Sequence, residues 1–297
     1  ASARPCARAQ HTLPAGIRND FVATALMYRG PWSRVYRVRP VGNDGRDAPY
    51  AMKLPAIDGQ EPVLAANMLR REISVMQSAA HPNLMLLLDY RLEKDGAYLL
   101  TPYLEGATLR DTLAAGLQCP LGHALWLARQ IAQALAALHE AGWRHGDIKP
   151  ENVLVAPSGH ATLLDLGLAQ PLDAVTDCAL PKAISGSLPY LAPECLQNNS
   201  RIGHQCDIYS LGAVLFQMIA GRPPFVAPNT ASLIEAQLHS KPPEIPIPGS
   251  AAAYDVRQLV AQMLAKDPLR RPPSASQLAN RLMRLEIATL YQRAATA

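Results

Sequence analysis

One eight-residue stretch, His145-Gly146-Asp147-Ile148-Lys149-Pro150-Glu151-Asn152, constrains this chain more than any other. It puts an aspartate, a lysine two residues on and an asparagine five residues on into one short, proline-containing loop. Those side chains can supply a proton acceptor, a fixed positive charge and a metal-binding amide. Thirteen residues after Asn152 comes Asp165-Leu166-Gly167, a second carboxylate followed by a glycine that permits a turn. Phosphoryl transfer asks for these parts: an alcohol held in position, metal ions on the phosphates, and positive charge on the moving group.

A chain of 297 residues, 49% of them apolar, can bury one large domain or two lobes. The 28 basic and 24 acidic residues nearly balance, so nothing in the charge points to a nucleic-acid partner. Five scattered cysteines (Cys6, Cys119, Cys178, Cys195, Cys206), none in a Cys-x-x-Cys pair, read as reduced thiols in a cytoplasmic protein. No signal peptide opens the sequence. The longest apolar run, around 211–220, falls short of the ~20 residues that cross a bilayer and is expected to be a buried helix. There is no initiator Met, as expected of a piece of a longer protein. The oligomeric state is not written in the sequence.

Along the chain, residues 1–20 show no clear period and read as a loosely attached tail. The text from 21 to 54 is strand-like: Val35, Tyr36 and Val38 lie in one β-rich stretch and Tyr50-Ala51-Met52-Lys53-Leu54 in another, with a turn signal at Gly42-Asn43-Asp44-Gly45 between them. Over 64–78, Leu64, Met68, Leu69, Ile73 and Met76 share a helical face. After His81-Pro82-Asn83, two strands are expected at 84–90 and 98–101, around a turn at Lys94-Asp95-Gly96. Leu121, Leu125, Ala128, Ile131, Leu135 and Leu138 keep helical spacing until Gly142 stops it. Short strands at 153–155 and 161–164 flank a turn at Pro157-Ser158-Gly159, and the proline-rich 241–248 reads as a loop.

The octapeptide resembles the catalytic loop of eukaryotic-type Ser/Thr protein kinases, with His-Gly-Asp where the family has His-Arg-Asp. Asp165-Leu166-Gly167 resembles the family's Asp-Phe-Gly. Tyr50-Ala51-Met52-Lys53 resembles its Val-Ala-Ile-Lys, Ala192-Pro193-Glu194 its Ala-Pro-Glu, and the 207–212 stretch beginning at Asp207 its large-lobe core helix. The resemblance runs in order over about residues 21–285, and the abundance of Ala, Pro and Arg fits a bacterial source. It implies an α+β, bilobal kinase fold: a tail (1–20), a small β-rich lobe with one key helix (21–101), a hinge (102–106) and a larger, mainly helical lobe (107–297).

It also implies residue roles. Asp147 would accept or orient the proton of a substrate hydroxyl, and Lys149 would neutralise the γ-phosphate. Asn152 and Asp165 would hold Mg²⁺, with Mn²⁺ as a substitute. Lys53 would bind the ATP phosphates and pair with a helix glutamate. That partner is Glu72, since the competing Glu61 precedes Pro62 and so falls outside a helix interior. Val35, Ala51 and Leu154 would sandwich the adenine. Thr101 is the small gatekeeper, Pro102 offers adenine its carbonyl, and Leu104 offers its N–H. His145 would be structural, packing under Leu166; Leu87, Met76, Leu166 and His145, tied to Asp207, would form a spine. Glu194 would pair with Arg271 of Asp267-Pro268-Leu269-Arg270-Arg271-Pro272, a pair whose breaking costs about 3–5 kcal/mol. Ser187 would hydrogen-bond Asp147 and Lys149. His123, His139, His160, His204 and His239 show no metal-ligand spacing and read as incidental.

Two departures from the family pattern matter. In Tyr28-Arg29-Gly30-Pro31-Trp32-Ser33, only the middle glycine of the phosphate-covering hairpin remains, as Gly30. That favours an alternative reading as a pseudokinase that binds nucleotide or protein. Gly146 replaces the arginine that grips an activation-segment phosphate, so activity is expected not to require phosphorylation of Thr176 or Ser185. His-Gly-Asp also occurs in small-molecule phosphotransferases, but the Ala-Pro-Glu triplet and Arg271 belong to a protein-substrate platform. The expected partner is therefore a protein with a Ser/Thr acceptor, with ATP and Mg²⁺ and without nucleic acid or membrane.

Overall fold

The computed structural model describes residues 13–14, 16–17, 19–43, 47–93, 96–114, 119–173, 187–197, 202–247, 249 and 251–296. Cys6, Cys178, Thr176, Ser185, and the turn residues Asp44, Gly45, Lys94 and Asp95 lie outside them. The chain divides into two compact units, Ala1–Gln77 with Leu86–Leu104, and Ser78–Met85 with Glu105–Ala297.

The first unit is an antiparallel five-stranded sheet with one helix. Its strands are β1 (Phe21–Arg29), β2 (Ser33–Pro40), β3 (Tyr50–Pro55), β4 (Asp89–Arg91) and β5 (Tyr98–Pro102), in the order β1-β2-β3-β5-β4, with α1 (Pro62–Ser78) after β3. Pro62 suits the first helical turn, where its missing N–H has no partner to lose. The apolar residues of α1 bury Ala65, Met68, Leu69, Ile73, Val75 and Met76, together with the carboxylate of Glu72. Two expectations change here. The tail is not loose where it is described: Leu13 and Ile17 are buried in one cluster with Tyr36, Val38, Met52, Tyr98 and Leu100. Nor does a strand begin at 84. Leu84 bridges to Leu163 of the second unit, and Asn83 Nδ2 donates to Gln130 Oε1 and the Ala161 carbonyl (3.0 and 2.7 Å). Residues Ser78–Met85 belong to the second unit.

The second unit holds a three-stranded sheet, in the order β6 (Ala107–Thr108), β8 (Val153–Val155), β9 (Ala161–Leu163), and a two-stranded one of β7 (Trp143–Arg144) with β10 (Gln170–Pro171). Around them run α2 (Leu109–Ala114), α3 (Leu121–Glu140), α4 (Gln205–Ala220), α5 (Thr230–His239), α6 (Ala251–Met263) and α7 (Ala275–Thr296). The face of α3 read from the sequence is the one it buries, including Leu125, Ala128, Ile131, Leu135 and Leu138. Gly142 ends that helix in a left-handed conformation (φ +84°), which glycine adopts without strain. Helix α4 is buried on nearly every side, as its predominantly apolar text requires. A Cβ on its Gly212 would lie 2.8 Å from Met263 Cβ, so glycine lets α4 and α6 pack closely. Among the described residues no helix is long and apolar enough to cross a membrane.

Candidate active site

In the first unit, β3 carries Lys53 and α1 carries Glu72. Lys53 Nζ lies 2.6 Å from Glu72 Oε2, with both side chains largely buried. Glu61 is exposed ahead of α1 and accepts instead from Trp32 Nε1 (3.1 Å). The strand register sets Val35 opposite Lys53 and Ala51 opposite the buried Thr101, whose hydroxyl donates to the Ala51 carbonyl (3.4 Å). Pro102 closes β5, and Leu104 is the last residue of the unit.

The turn between β1 and β2 is tight: Gly30 N donates to the Ser33 carbonyl at 2.9 Å. The Tyr28 ring lies over Gly30, where a Cβ would meet its hydroxyl oxygen at 2.4 Å. The turn is also tied to the segment between β3 and α1. Ala56 N donates to the Trp32 carbonyl (2.9 Å), Trp32 reaches Glu61, and Arg34 forms an ion pair with Asp58. The Arg34 hydrogen bond holds the Asp58 carboxyl below the usual carboxylate range. No spacing in the sequence announced this tether.

In the second unit the catalytic-loop candidates converge. Asp147 Oδ2 accepts from Lys149 Nζ at 2.6 Å and from Asn152 Nδ2 at 2.9 Å; the same Asn152 amide donates to the Asp147 carbonyl at 2.8 Å. Asp147 Oδ1 is buried and has no hydrogen-bond partner among the described residues. Lys149 Nζ also donates to Ser187 Oγ (2.9 Å). A 3₁₀ turn over Pro150–Asn152 swings Asn152 back over the loop, and its carbonyl accepts from Leu164 N at 2.8 Å. That bond brings Asn152 beside the residue preceding Asp165. With Nδ2 spent on Asp147, Oδ1 is the side-chain atom with which Asn152 could hold a metal ion. Asp165 has φ +59°, the one positive φ among described non-glycine residues, and accepts from Gly167 N at 3.3 Å. Such backbone strain persists where the surroundings over-determine it and is frequent at functional sites. The two oxygen donors suit Mg²⁺, which keeps several waters and takes remaining ligands from substrate phosphates. Among the described residues, no cluster of three His, Cys, Asp or Glu could hold a metal by itself. Leu154 sits on β8, half-buried.

The loop is held from below by α4. Asp207, 1% exposed, accepts from His145 N and Gly146 N, both at 2.8 Å, and from His139 Nε2 at 2.9 Å. Burial pushes the Asp207 carboxyl up, but the His139 bond, the neighbouring imidazoles and the Gly146 N–H outweigh it and hold the carboxyl below its ordinary range. His139 is therefore not incidental; its ring nitrogen is part of the clamp. The signal lay in its placement in the last turn of α3, just before the loop. His145 is fully buried, with Nδ1 accepting from Asp147 N (3.2 Å) and Nε2 facing the Leu164 carbonyl (3.1 Å), so it orders the loop from inside.

Gly146 is left-handed (φ +77°), and a Cβ there would meet the Leu168 carbonyl oxygen at 3.2 Å. Arg144 is buried and donates to the Ile202 carbonyl and Gln170 Oε1. Farther on, Arg271 makes a bidentate pair with Glu194 at 2.6 and 2.8 Å and also donates to the Ala265, Gln205 and Lys266 carbonyls. Cys119, Cys195 and Cys206 are free thiols, and burial pushes Cys119 up to about 11.

The family model of the protein kinase domain matches residues 25–283. Serine/threonine-protein kinase pkn2 of Myxococcus xanthus is 30% identical over 265 residues, covering 82% of this chain and 31% of that protein. Serine/threonine-protein kinase PrkC of Bacillus subtilis is 31% identical over 209 residues (70% and 32%). Serine/threonine-protein kinase PknA of Corynebacterium glutamicum is 30% identical over 268 residues (89% and 55%). The chain thus spans about a third to a half of the length of these relatives.

Proposed function

The chain belongs to the protein kinase family, and from that premise we propose that it is an ATP-dependent Ser/Thr protein kinase acting in the cytoplasm. The observation that carries this reading is the division of labour on one carboxylate. Asp147 Oδ2 is clamped by Lys149 and Asn152, while Oδ1 is buried and unpartnered. An acceptor left unpaired in a buried site costs free energy unless a ligand satisfies it. A substrate hydroxyl does so, donating its hydrogen to Oδ1 as its oxygen turns toward phosphorus.

The other residues follow from that position. Lys149 Nζ, fixed by Asp147 and Ser187, offsets charge developing on the transferred phosphoryl group. Lys53, steadied by Glu72, binds ATP phosphates. Asn152 and Asp165 would hold Mg²⁺ or Mn²⁺, which screens the phosphate oxygens when bound. Val35, Ala51, Thr101, Pro102, Leu104 and Leu154 would form the adenine site. Gly146 offers no side chain to a phosphorylated activation segment, and Arg144 is spent on Ile202 and Gln170. Transfer is therefore expected without prior phosphorylation of Thr176 or Ser185.

The eroded hairpin favours a second reading, a pseudokinase that binds nucleotide without turning it over, because Tyr28 fills the space above Gly30. The test is transfer of label from γ-labelled ATP to a generic protein in Mg²⁺, before and after phosphatase treatment of the enzyme. The kinase reading expects label on serine or threonine in both samples. Nucleotide binding with no label transferred would support the second reading instead.

A further inference from the structure

Helix α5 lies largely exposed, and Gln237 is its one buried side chain, with no accessible surface. Both ends of this amide are in use. Oε1 accepts from the Tyr209 hydroxyl of α4 at 3.1 Å, and Nε2 donates to the Leu188 carbonyl. Tyr209 is itself fully buried, and burial pushes its phenol up, so at neutral pH it is a donor. A methionine of similar volume could fill this space without desolvating an amide. The position therefore holds a polar group for what it binds.

What it binds is one residue from the acceptor machinery. Leu188 follows Ser187, whose Oγ takes the hydrogen bond from Lys149 Nζ (2.9 Å), and the same Nζ lies 2.6 Å from Asp147 Oδ2. The short turn Leu188–Tyr190 is secured at its other end as well, where the Tyr190 hydroxyl donates to Gln217 Oε1 of α4 at 2.7 Å. The connection from α4 runs through Tyr209, Gln237, the Leu188 carbonyl, Ser187 and Lys149 to Asp147, every link within the second unit.

We propose that Gln237 is a positioning residue for phosphoryl transfer to protein hydroxyls: by fixing the Leu188 carbonyl it sets Ser187, and through Ser187 the direction in which Lys149 points relative to Asp147. This rests on the kinase reading. It predicts that loss of the Gln237 amide lowers kcat while leaving the KM for ATP in place, because neither Gln237, Tyr209, Leu188 nor Ser187 belongs to the proposed adenine site or to the Lys53–Glu72 pair.

The experiment is a kinetic double-mutant cycle on the whole chain, with γ-labelled ATP and a generic protein substrate, using Gln237→Met, Ser187→Ala and both together. Thermal unfolding is read first to confirm folded protein. Expected are a fall of roughly tenfold in kcat for Gln237→Met, a KM for ATP within about twofold of wild type, and no more than about twofold further loss when Gln237→Met is added to Ser187→Ala, since coupled residues are non-additive. A residue that only filled space would leave kcat unchanged in the folded variant. Wild-type kcat in Gln237→Met, or losses that multiply fully in the double variant, overturns the proposal. If Gln237→Met does not fold, Gln237→Leu, which is close in size and has no donor, takes its place with the same expected pattern. Absence of transfer by the wild type strikes the kinase reading itself, whereas active wild type with an unaffected Gln237 variant strikes this inference alone.

Discussion

The two units meet the same demand, holding charge in place for chemistry, in opposite ways. In the second, Asp147 is surrounded by ties: Lys149 and Asn152 on its carboxylate, His145 on its N–H, and Asp207 beneath its two preceding residues. In the first, Lys53 is paired with Glu72, and the turn between β1 and β2 is restrained by partly exposed contacts from Trp32 and Arg34. Buried charge-assisted hydrogen bonds are strong, and losing one partner leaves the other uncompensated. Exposed pairs are screened and weak. The second unit should therefore be brittle to substitution and the turn of the first forgiving.

The largest effect expected in a test of that contrast is on stability. Arg271→Ala strands the buried Glu194 carboxylate and should cost about 3–5 kcal/mol, read as a shift in denaturant midpoint. A loss under about 1 kcal/mol would mean that the pair is a passenger. Next comes catalysis: Asp147→Asn and Lys53→Met should each lower transfer by about 10²–10³, roughly 2.7–4 kcal/mol, in folded protein. Turnover at the wild-type rate by either would remove that residue from its role.

The third effect depends on pH. Asp207 is held below its unfolded value, so its ionised form contributes stability above about pH 4 and loses it as pH falls through the lower folded value. The gap in unfolding free energy between wild type and Asp207→Asn should accordingly narrow as the solution is taken from about pH 5 down to pH 2; a gap independent of pH would contradict the clamp. The smallest effect belongs to the first unit. Glu61→Gln weakens the exposed bond to Trp32 and should move the KM for ATP by less than about threefold. A tenfold change would show that the tether, and not the missing glycines, governs the turn.

How much of this could be read beforehand follows the same division. Asp147, Lys149, Asn152 and Asp165 are local: their spacing along one loop and one turn nearly dictates their neighbourhood. The buried faces of α1 and α3 are legible for the same reason, since period and burial are properties of a single helix. Glu194 and Arg271, 77 residues apart, were paired only through the family resemblance. What escaped was long-range and weakly patterned. Leu13 and Ile17 carry no period, yet fill a sheet face. Leu84 looked like a strand residue because of its apolar neighbours, but Asn83 found its hydrogen bonds with Gln130 and Ala161. Gln237 is a single polar residue on a helix, and nothing local distinguishes a buried partner of the Leu188 carbonyl from a solvated side chain; for His139 the one local signal was its place in the last turn of α3.

The central claim is that Asp147 serves a hydroxyl acceptor, and initial-rate label transfer to a generic protein, comparing wild type with Asp147→Asn at saturating ATP and Mg²⁺, tests it most directly. The account predicts label on serine or threonine with wild type and a rate lower by about 10²–10³ with the variant, whose KM for ATP stays near wild type. Equal rates for the two folded proteins, or no transfer by wild type, would contradict it.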